Sequence, residues 1–199
     1  MRKRGKAQPY QDAEREYGEV EIIEVKLNEI SKVQRIAEIV MRAIPYPILL
    51  QLTHEDRIMI AAGHTRANLS DRSKNTIEEF LFTDWIEPGK LTDFQRQFFR
   101  QIHSSQLSFT NFYRFYDGFV DQMILLNASK WADCYPDSED VKEIKQISDR
   151  IADLDKKIDE LSVELKKESM FNRKVEINVQ IKNLTRKKGT LKDWKKQGL

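Results

Sequence analysis

Three polar residues near the N-terminus have the types and spacing of a metal-dependent nuclease. Glu24 and Lys26 stand two residues apart in a segment with strand periodicity, and Asp12 precedes them. In such nucleases two carboxylates hold a divalent cation, and the lysine polarises the attacking water. Glu-x-Lys is also common on the solvent face of an edge strand, where charges prevent unwanted strand pairing. We therefore favour the solvent-facing interpretation and keep the nuclease as an alternative.

The other residues that commonly catalyse reactions or bind metals show no recognisable pattern. His54, His64 and His103 lack metal-ligand spacing with one another and with Cys134, so we predict no metal site. For the segment 63–66 around His64, a loop at a strand end is favoured over a phosphate-binding role. The sequence contains neither a P-loop motif nor a dinucleotide fingerprint, and we predict no cofactor.

Hydrophobic spacing predicts the elements around the Glu-x-Lys pair. Residues 19–27 alternate polar and apolar side chains, which indicates a half-buried strand. Residues 28–43 carry apolar side chains at helical spacing, and two prolines follow this helix. Two apolar strands come next, at residues 48–52 and 57–62, joined by a turn. The order strand, helix, strand, strand predicts a small α/β sheet with one covered face.

Aromatic residues dominate the segment that follows. Residues 80–86 indicate a further strand, and a polar stretch over residues 68–76 separates it from the sheet. Between residues 90 and 128 the aromatic side chains recur at helical spacing. Such a surface can stack nucleic-acid bases, but helical periodicity favours packing in a core.

The C-terminal region predicts a helical hairpin. From Ile147 to Leu165 apolar residues recur in alternating steps of four and three, which is the seam of a coiled coil. A second seam runs from Ile177 to Leu191, and a straight helix would place it about 120° away from the first. Two antiparallel helices that turn within residues 168–173 bring the seams together, with Ser169 or Asn172 as the cap of the second helix. We favour this hairpin over one long helix.

Charge is distributed unevenly along this region. Residues 141–165 have a net charge of −2, whereas residues 166–199 carry eleven Lys or Arg against three acidic residues, a net charge of +8. An acidic helix packed against a basic one suits the hairpin. The positive charge also makes nucleic-acid binding an alternative function. The candidate residues for it are Arg186, Lys187, Lys188, Lys192, Lys195 and Lys196.

Together these patterns predict an α+β protein with four parts. We expect a disordered extension over residues 1–18 and a small βαββ sheet domain over residues 19–90. An aromatic-rich helical segment over residues 91–140 and an antiparallel coiled-coil hairpin over residues 141–199 complete the prediction.

Composition excludes several classes of protein. A single cysteine excludes an internal disulfide and fits a reducing compartment. No apolar stretch approaches the ~20 residues that span a bilayer, so we expect no membrane insertion. The basic N-terminal residues have no apolar region behind them, which argues against a signal peptide. We therefore predict a cytoplasmic protein.

Four sequence blocks carry a family resemblance. They are residues 19–27, Ala-Ile-Pro-Tyr-Pro-Ile-Leu at 43–49, Phe-Thr-Asp-Trp at 82–85 and Phe-Asn-Arg-Lys-Val-Glu-Ile-Asn at 171–178. With them the chain resembles the bacterial and archaeal family called domain of unknown function 4391, over roughly residues 19–190. The resemblance implies a cytosolic protein that is often encoded near helicases and restriction or anti-phage systems. It implies no catalytic residues, and it implies that this chain is short at its N-terminus relative to the family.

We therefore expect a non-enzymatic accessory subunit that docks on a larger protein through the coiled coil and the edge of the sheet. The resemblance alone suggests a helicase or a methyltransferase of a defence locus as the partner. The alternatives are the nuclease that uses Asp12, Glu24 and Lys26, and direct nucleic-acid binding by the basic C-terminal helix.

Overall fold

The computed structural model describes residues 7–67 and 75–193. It confirms the α+β class, because small sheets precede a series of helices. Contacts divide the chain into two units, one that extends to Asn127 and one that begins at Ala128. The aromatic segment thus shares a unit with the sheet as far as Asn127.

The N-terminal residues form a small hairpin. Strand β1 (Tyr10–Gln11) pairs antiparallel with β2 (Glu16–Tyr17), and Tyr17 is fully buried. The prediction of a disordered extension is therefore wrong for this hairpin. Two-residue strands carry too little periodicity for sequence analysis to recognise, and here a buried aromatic side chain fixes them instead.

The main sheet has the predicted order strand, helix, strand, strand. Strand β3 (Glu21–Lys26) lies parallel to β4 (Ile48–His54), which pairs antiparallel with β5 (Arg57–Ala62). Helix α1 (Val33–Ala43) connects the two parallel strands. It begins later than the apolar spacing predicted, because Lys32 has left-handed backbone angles and forms its N-cap.

The core of this unit lies between the sheet and α1. Its members alternate along the strands, so one face of each strand points to the helix. The buried residues of this core are Ala37, Met41, Ile48, Leu50, Leu52, Met59 and Ala61. The alternate residues Leu49, Ile60 and Ala62 are also buried on the other face of the sheet, so the prediction of one covered face is wrong.

Three short strands complete the first unit. Strand β6 (Thr65–Ala67) pairs antiparallel with β7 (Asn75–Ile77), so the predicted polar stretch ends in a strand. Most of that stretch, residues 68–74, lies outside the described residues. Strand β8 (Leu81–Phe82) pairs with β5 at the far edge of the main sheet and confirms part of the strand expected at residues 80–86.

Two helices carry the aromatic residues. Helix α2 (Asp93–Gln101) begins with a capping box, in which the Thr92 side chain accepts from the N–H of Gln95 and the Gln95 side chain accepts from the N–H of Thr92. Helix α3 (Phe112–Ala132) contains the fully buried Tyr116.

The second unit contains the predicted antiparallel hairpin. Helix α4 (Val141–Lys167) and helix α5 (Phe171–Lys192) are joined by only three residues. The predicted seams face inward, and Ile177 is fully buried between the helices. Ion pairs join the helices as well, from Arg173 to Glu164 at 3.3 Å and from Lys188 to Asp155.

The predicted cap of α5 is wrong. The N-cap is Met170, which has no side-chain capping bond, rather than Ser169 or Asn172. Instead, the Glu168 carboxylate accepts hydrogen bonds from the backbone N–H groups of Ser169 and Met170 and closes the turn. These two bonds, with that from Met170 the stronger cause, lower the pKa of Glu168.

Candidate functional site

Asp12 closes the turn of the N-terminal hairpin. Its Oδ1 accepts hydrogen bonds from the backbone N–H groups of Glu14 at 2.8 Å and Arg15 at 2.7 Å. Its Oδ2 accepts one from the Tyr10 hydroxyl at 2.8 Å. These bonds, that from Glu14 first, hold the pKa of the Asp12 carboxyl below its usual range. The carboxylate therefore stabilises its own turn.

Glu24 and Lys26 lie on β3 of the main sheet, whereas Asp12 lies in the turn between β1 and β2. Both side chains are exposed on the strand face that also carries Ile22. Glu24 accepts a hydrogen bond from the Thr53 hydroxyl at 3.3 Å. In residues 7–67 and 75–193 no group of three or more His, Cys, Asp or Glu side chains is arranged to hold a metal ion. The nuclease stays a prediction.

Four of the predicted basic residues lie on α5. Lys188 is only a quarter exposed and pairs with Asp155 across the hairpin, so its charge stabilises the helix pair. Arg186, Lys187 and Lys192 are exposed to solvent. Lys195 and Lys196 lie outside the described residues.

The structure forms a polar cluster that the sequence analysis missed. The Tyr17 hydroxyl lies 2.8 Å from His64 Nδ1, and His64 Nε2 lies 3.4 Å from the Asp117 carboxylate. The backbone N–H of Thr65 donates to the Tyr17 oxygen at 3.3 Å. A neutral His64 that directs Nε2–H at Asp117 accepts the Tyr17 proton at Nδ1. The cluster thereby joins β2, β6 and α3.

Burial and hydrogen bonding shift the acidities in this cluster. Loss of contact with water raises the pKa of Tyr17 to about 12, so its hydroxyl keeps its proton at neutral pH. The hydrogen bond from His64 lowers the pKa of Asp117, which remains a carboxylate. The Tyr17 hydroxyl is shielded from solvent in a fully buried side chain, and its hydrogen bonds hold these elements together.

Aromatic rings pack around the same cluster. The ring of Tyr113 stacks on Tyr10 at 4.8 Å between centroids and meets the edge of Tyr17 at 5.2 Å. The Arg15 guanidinium lies 5.6 Å from the Tyr113 ring and forms an ion pair with Glu78 at 3.2 Å. These contacts fasten the N-terminal hairpin to α3.

Tyr116 of α3 makes polar contacts from a fully buried side chain. Its hydroxyl oxygen accepts from the Gly63 N–H at 2.8 Å and lies within donor distance of the carbonyls of Ile48 and Gly63, at 2.9 and 3.0 Å. Burial raises the pKa of Tyr116 well above its usual range. A Cβ at Gly63 would come within 2.2 Å of the Glu79 carbonyl oxygen, so only glycine fits there.

One sequence signal pointed to this cluster. Tyr113, Tyr116 and Asp117 recur at the spacing that places side chains on one face of a helix. Their partners, Tyr17 and His64, stand 49 or more positions earlier in the chain, and no local pattern connects such distant residues.

The outside of the hairpin carries an apolar surface. Val175 and Val179 each stand two residues from the buried Ile177, which places them about 160° around α5 from the seam. They are 46% and 54% exposed, and Phe171, one turn earlier, is 77% exposed. Phe171, Val175 and Val179 form what we call the α5 outer stripe.

These features define an α+β protein in which a Tyr–His–Asp cluster fastens a helix to short strands and a helical hairpin has apolar residues on its outside. The chain belongs to the family described as Domain of unknown function (DUF4391), whose model matches residues 5–187. This match confirms the resemblance seen in the sequence. No curated protein and no solved structure matches the chain significantly. In the described part of the chain, no helix is both long and apolar enough to cross a membrane.

Proposed function

We propose that this protein is a non-enzymatic accessory subunit that docks on a larger cytoplasmic protein through the α5 outer stripe. The observation that carries the proposal is the second apolar face of α5. A surface helix of a stable domain has one apolar face, toward its core, and polar residues opposite. Helix α5 buries Ile177 against α4 and still presents Phe171, Val175 and Val179 on the opposite side.

Charges near the stripe indicate the chemistry of the partner. The Arg173 guanidinium is held by Glu164 and Glu176, and Glu168 is engaged in the turn. After its backbone hydrogen bonds, Arg173 and Lys174 both contribute to lowering the pKa of Glu168. Lys166 and Lys167 add two further positive charges at the end of α4. An apolar surface next to positive charge favours a protein with an apolar groove and an acidic rim.

The exposed area of the α5 outer stripe is smaller than the area that a stable interface buries. Its three side chains expose on the order of 300 Å². Stable interfaces bury about 800 Å² on each protein. The stripe is therefore one part of an interface, and a second surface of this chain supplies the rest. The family resemblance suggests that the partner is a helicase or a methyltransferase of a defence locus.

A paired substitution tests the stripe without weakening the helix. Val175→Glu with Val179→Lys replaces two β-branched residues by better helix formers and creates a Glu–Lys pair at i, i+4. The matched control is Val163→Glu, because Val163 is also 50% exposed but lies on the outside of α4. Thermal unfolding should show that both variants fold like the wild-type protein.

The assay is quantitative co-purification of the tagged full chain from its host at 0.1 and 0.5 M NaCl. Losing the burial of two half-exposed valines costs about 2 kcal/mol, or roughly 30-fold in affinity. We expect the stripe variant to lose a helicase or methyltransferase that the wild-type protein and Val163→Glu both retain at either salt concentration. Equal recovery with the stripe variant, or no partner with any variant, contradicts the proposal.

The same preparations separate the alternatives. Nucleic-acid capture through Arg186, Lys187 and Lys192 would weaken steeply between the two salt concentrations. Cleavage of DNA or RNA that requires Mg²⁺ and is abolished by Glu24→Ala would establish the nuclease instead. A wild-type dimer that the stripe variant converts to a monomer would show that the stripe binds a second copy of this chain.

A further inference from the structure

Strand β3 has a free edge among the described residues. It is the first strand of the order β3-β4-β5-β8, and only β4 pairs with it. The N–H of Glu21 donates to the Pro47 carbonyl at 2.9 Å, and the N–H of Leu27 donates to the Thr53 carbonyl at 2.8 Å. Because alternate residues of a parallel strand direct their backbone groups to opposite sides, the N–H and C=O groups of the even-numbered residues face outward. These residues are Ile22, Glu24 and Lys26.

An apolar cavity of about 460 Å³ lies on the sheet face beside this edge. Ile22, Leu49 and Ile60 line it from the sheet, and Phe99, Phe109 and Phe115 line it from α2, α3 and the segment between them. Ile22 belongs to both features, because it lines the cavity and is 72% exposed at the edge. A space of this size and lining is large enough to hold at least one apolar side chain of a ligand.

We propose that an extended segment of a partner protein adds to the outer edge of β3 and places an apolar side chain in this cavity. The outward backbone groups donate and accept at alternating positions, which another extended chain matches. A small apolar molecule would fill the cavity but would use none of these groups. The proposal rests on the proposed function, since the segment belongs to the same partner protein.

The charges of β3 indicate which residue types the partner segment carries. Glu24 and Lys26 follow Ile22 on the same face, and cross-strand neighbours of opposite charge stabilise a sheet. The segment should therefore carry an apolar, a basic and an acidic residue at alternate positions. Two copies of β3 paired antiparallel about Glu24, the middle outward residue, would place Glu24 opposite Glu24, which is unfavourable. The edge thus favours a different chain over a second copy.

Selection from a phage-displayed library of random 12-residue peptides on the immobilised full chain tests this inference. Enriched peptides are synthesised and their affinities measured by fluorescence anisotropy. We expect alternating sequences with an apolar, a basic and an acidic position. Their affinity should fall at least roughly fivefold with Ile22→Pro, because proline removes one outward N–H and leaves the bonds to β4 intact.

A second variant tests the same edge without introducing proline into β3. Exchange of the two exposed charges, Glu24→Lys with Lys26→Glu, should weaken the enriched peptides and select peptides with the basic and acidic positions reversed. The matched control is Ile39→Ala, since Ile39 is 55% exposed on α1, and its affinity should equal that of the wild-type protein.

The inference is overturned if no peptide is enriched, or if the enriched peptides bind the charge-exchanged chain equally well. It is also overturned if wild-type dimers dissociate with Ile22→Pro, because a second copy would then occupy the edge. The Val175→Glu/Val179→Lys variant should bind the peptides normally. Peptide binding therefore tests the proposal for the β3 edge, and co-purification tests the proposal for the α5 outer stripe.

Discussion

Removal of one hydroxyl group, by Tyr116→Phe, should destabilise the first unit. The Tyr116 oxygen accepts from the Gly63 N–H and donates its single proton toward the carbonyls of Ile48 and Gly63, in a fully buried position. Phenylalanine keeps the ring and its packing, so the loss is confined to polar contacts. Two hydrogen bonds contribute about 1 kcal/mol each, and the buried Gly63 N–H that is left unpaired raises the loss to about 3 kcal/mol.

Urea denaturation of the full chain measures this loss, and Tyr46→Phe is the control. Tyr46 is 42% exposed, so its substitution should change the free energy of unfolding by less than about 0.5 kcal/mol. Amide hydrogen exchange at Gly63 should also accelerate in Tyr116→Phe, because that N–H has lost its acceptor. A free energy of unfolding within about 0.5 kcal/mol of wild type, with unchanged exchange at Gly63, would refute the reasoning.

Three further substitutions test other contacts. Gly63→Ala should lower the free energy of unfolding by about 3 kcal/mol or more, because its Cβ would meet the Glu79 carbonyl. Gly89 has open space around it, so Gly89→Ala should have little effect in the same urea titration. Ile177→Ala should lower the unfolding free energy of the hairpin by 2–5 kcal/mol, measured by the helical circular dichroism signal, whereas Val179→Ala should not. The lowered pKa of Asp117 stabilises the folded state above its usual value of 3.8, and this contribution disappears as the pH falls through the lowered pKa. Asp117→Asn should therefore be less stable at neutral pH and show a weaker loss of stability on acidification; an unchanged acid profile would argue against the His64 contact.

The sheet and the hairpin could be predicted because each depends on repeating apolar residues. Period-two alternation identified β3, and paired apolar runs identified β4 and β5, because burial imposes these patterns on the sequence itself. The two seams of the hairpin similarly fixed its register, and Ile177 is buried where the second seam begins. Where a long helix or strand buries one face, the spacing of its apolar residues predicts that element.

The short strands and the polar cluster could not be predicted, because no repeating apolar pattern marks them in the sequence. Strands β1 and β2 have two residues each, and their position depends on contacts of Tyr10 and Tyr17 with α3. The His64–Asp117 contact joins positions 53 residues apart, and either residue alone is unremarkable in its local sequence. Asp12 illustrates the same difficulty, since a carboxylate that resembles a metal ligand serves as a turn acceptor.

The three-residue connection between α4 and α5 also makes the hairpin convenient for labelling. Because α5 runs back along α4 for 22 residues, its last turn lies about 30 Å from Phe171. A fluorophore attached at Lys192 would therefore leave the stripe unobstructed. With an acceptor dye on the candidate partner, energy transfer would then report complex formation in solution.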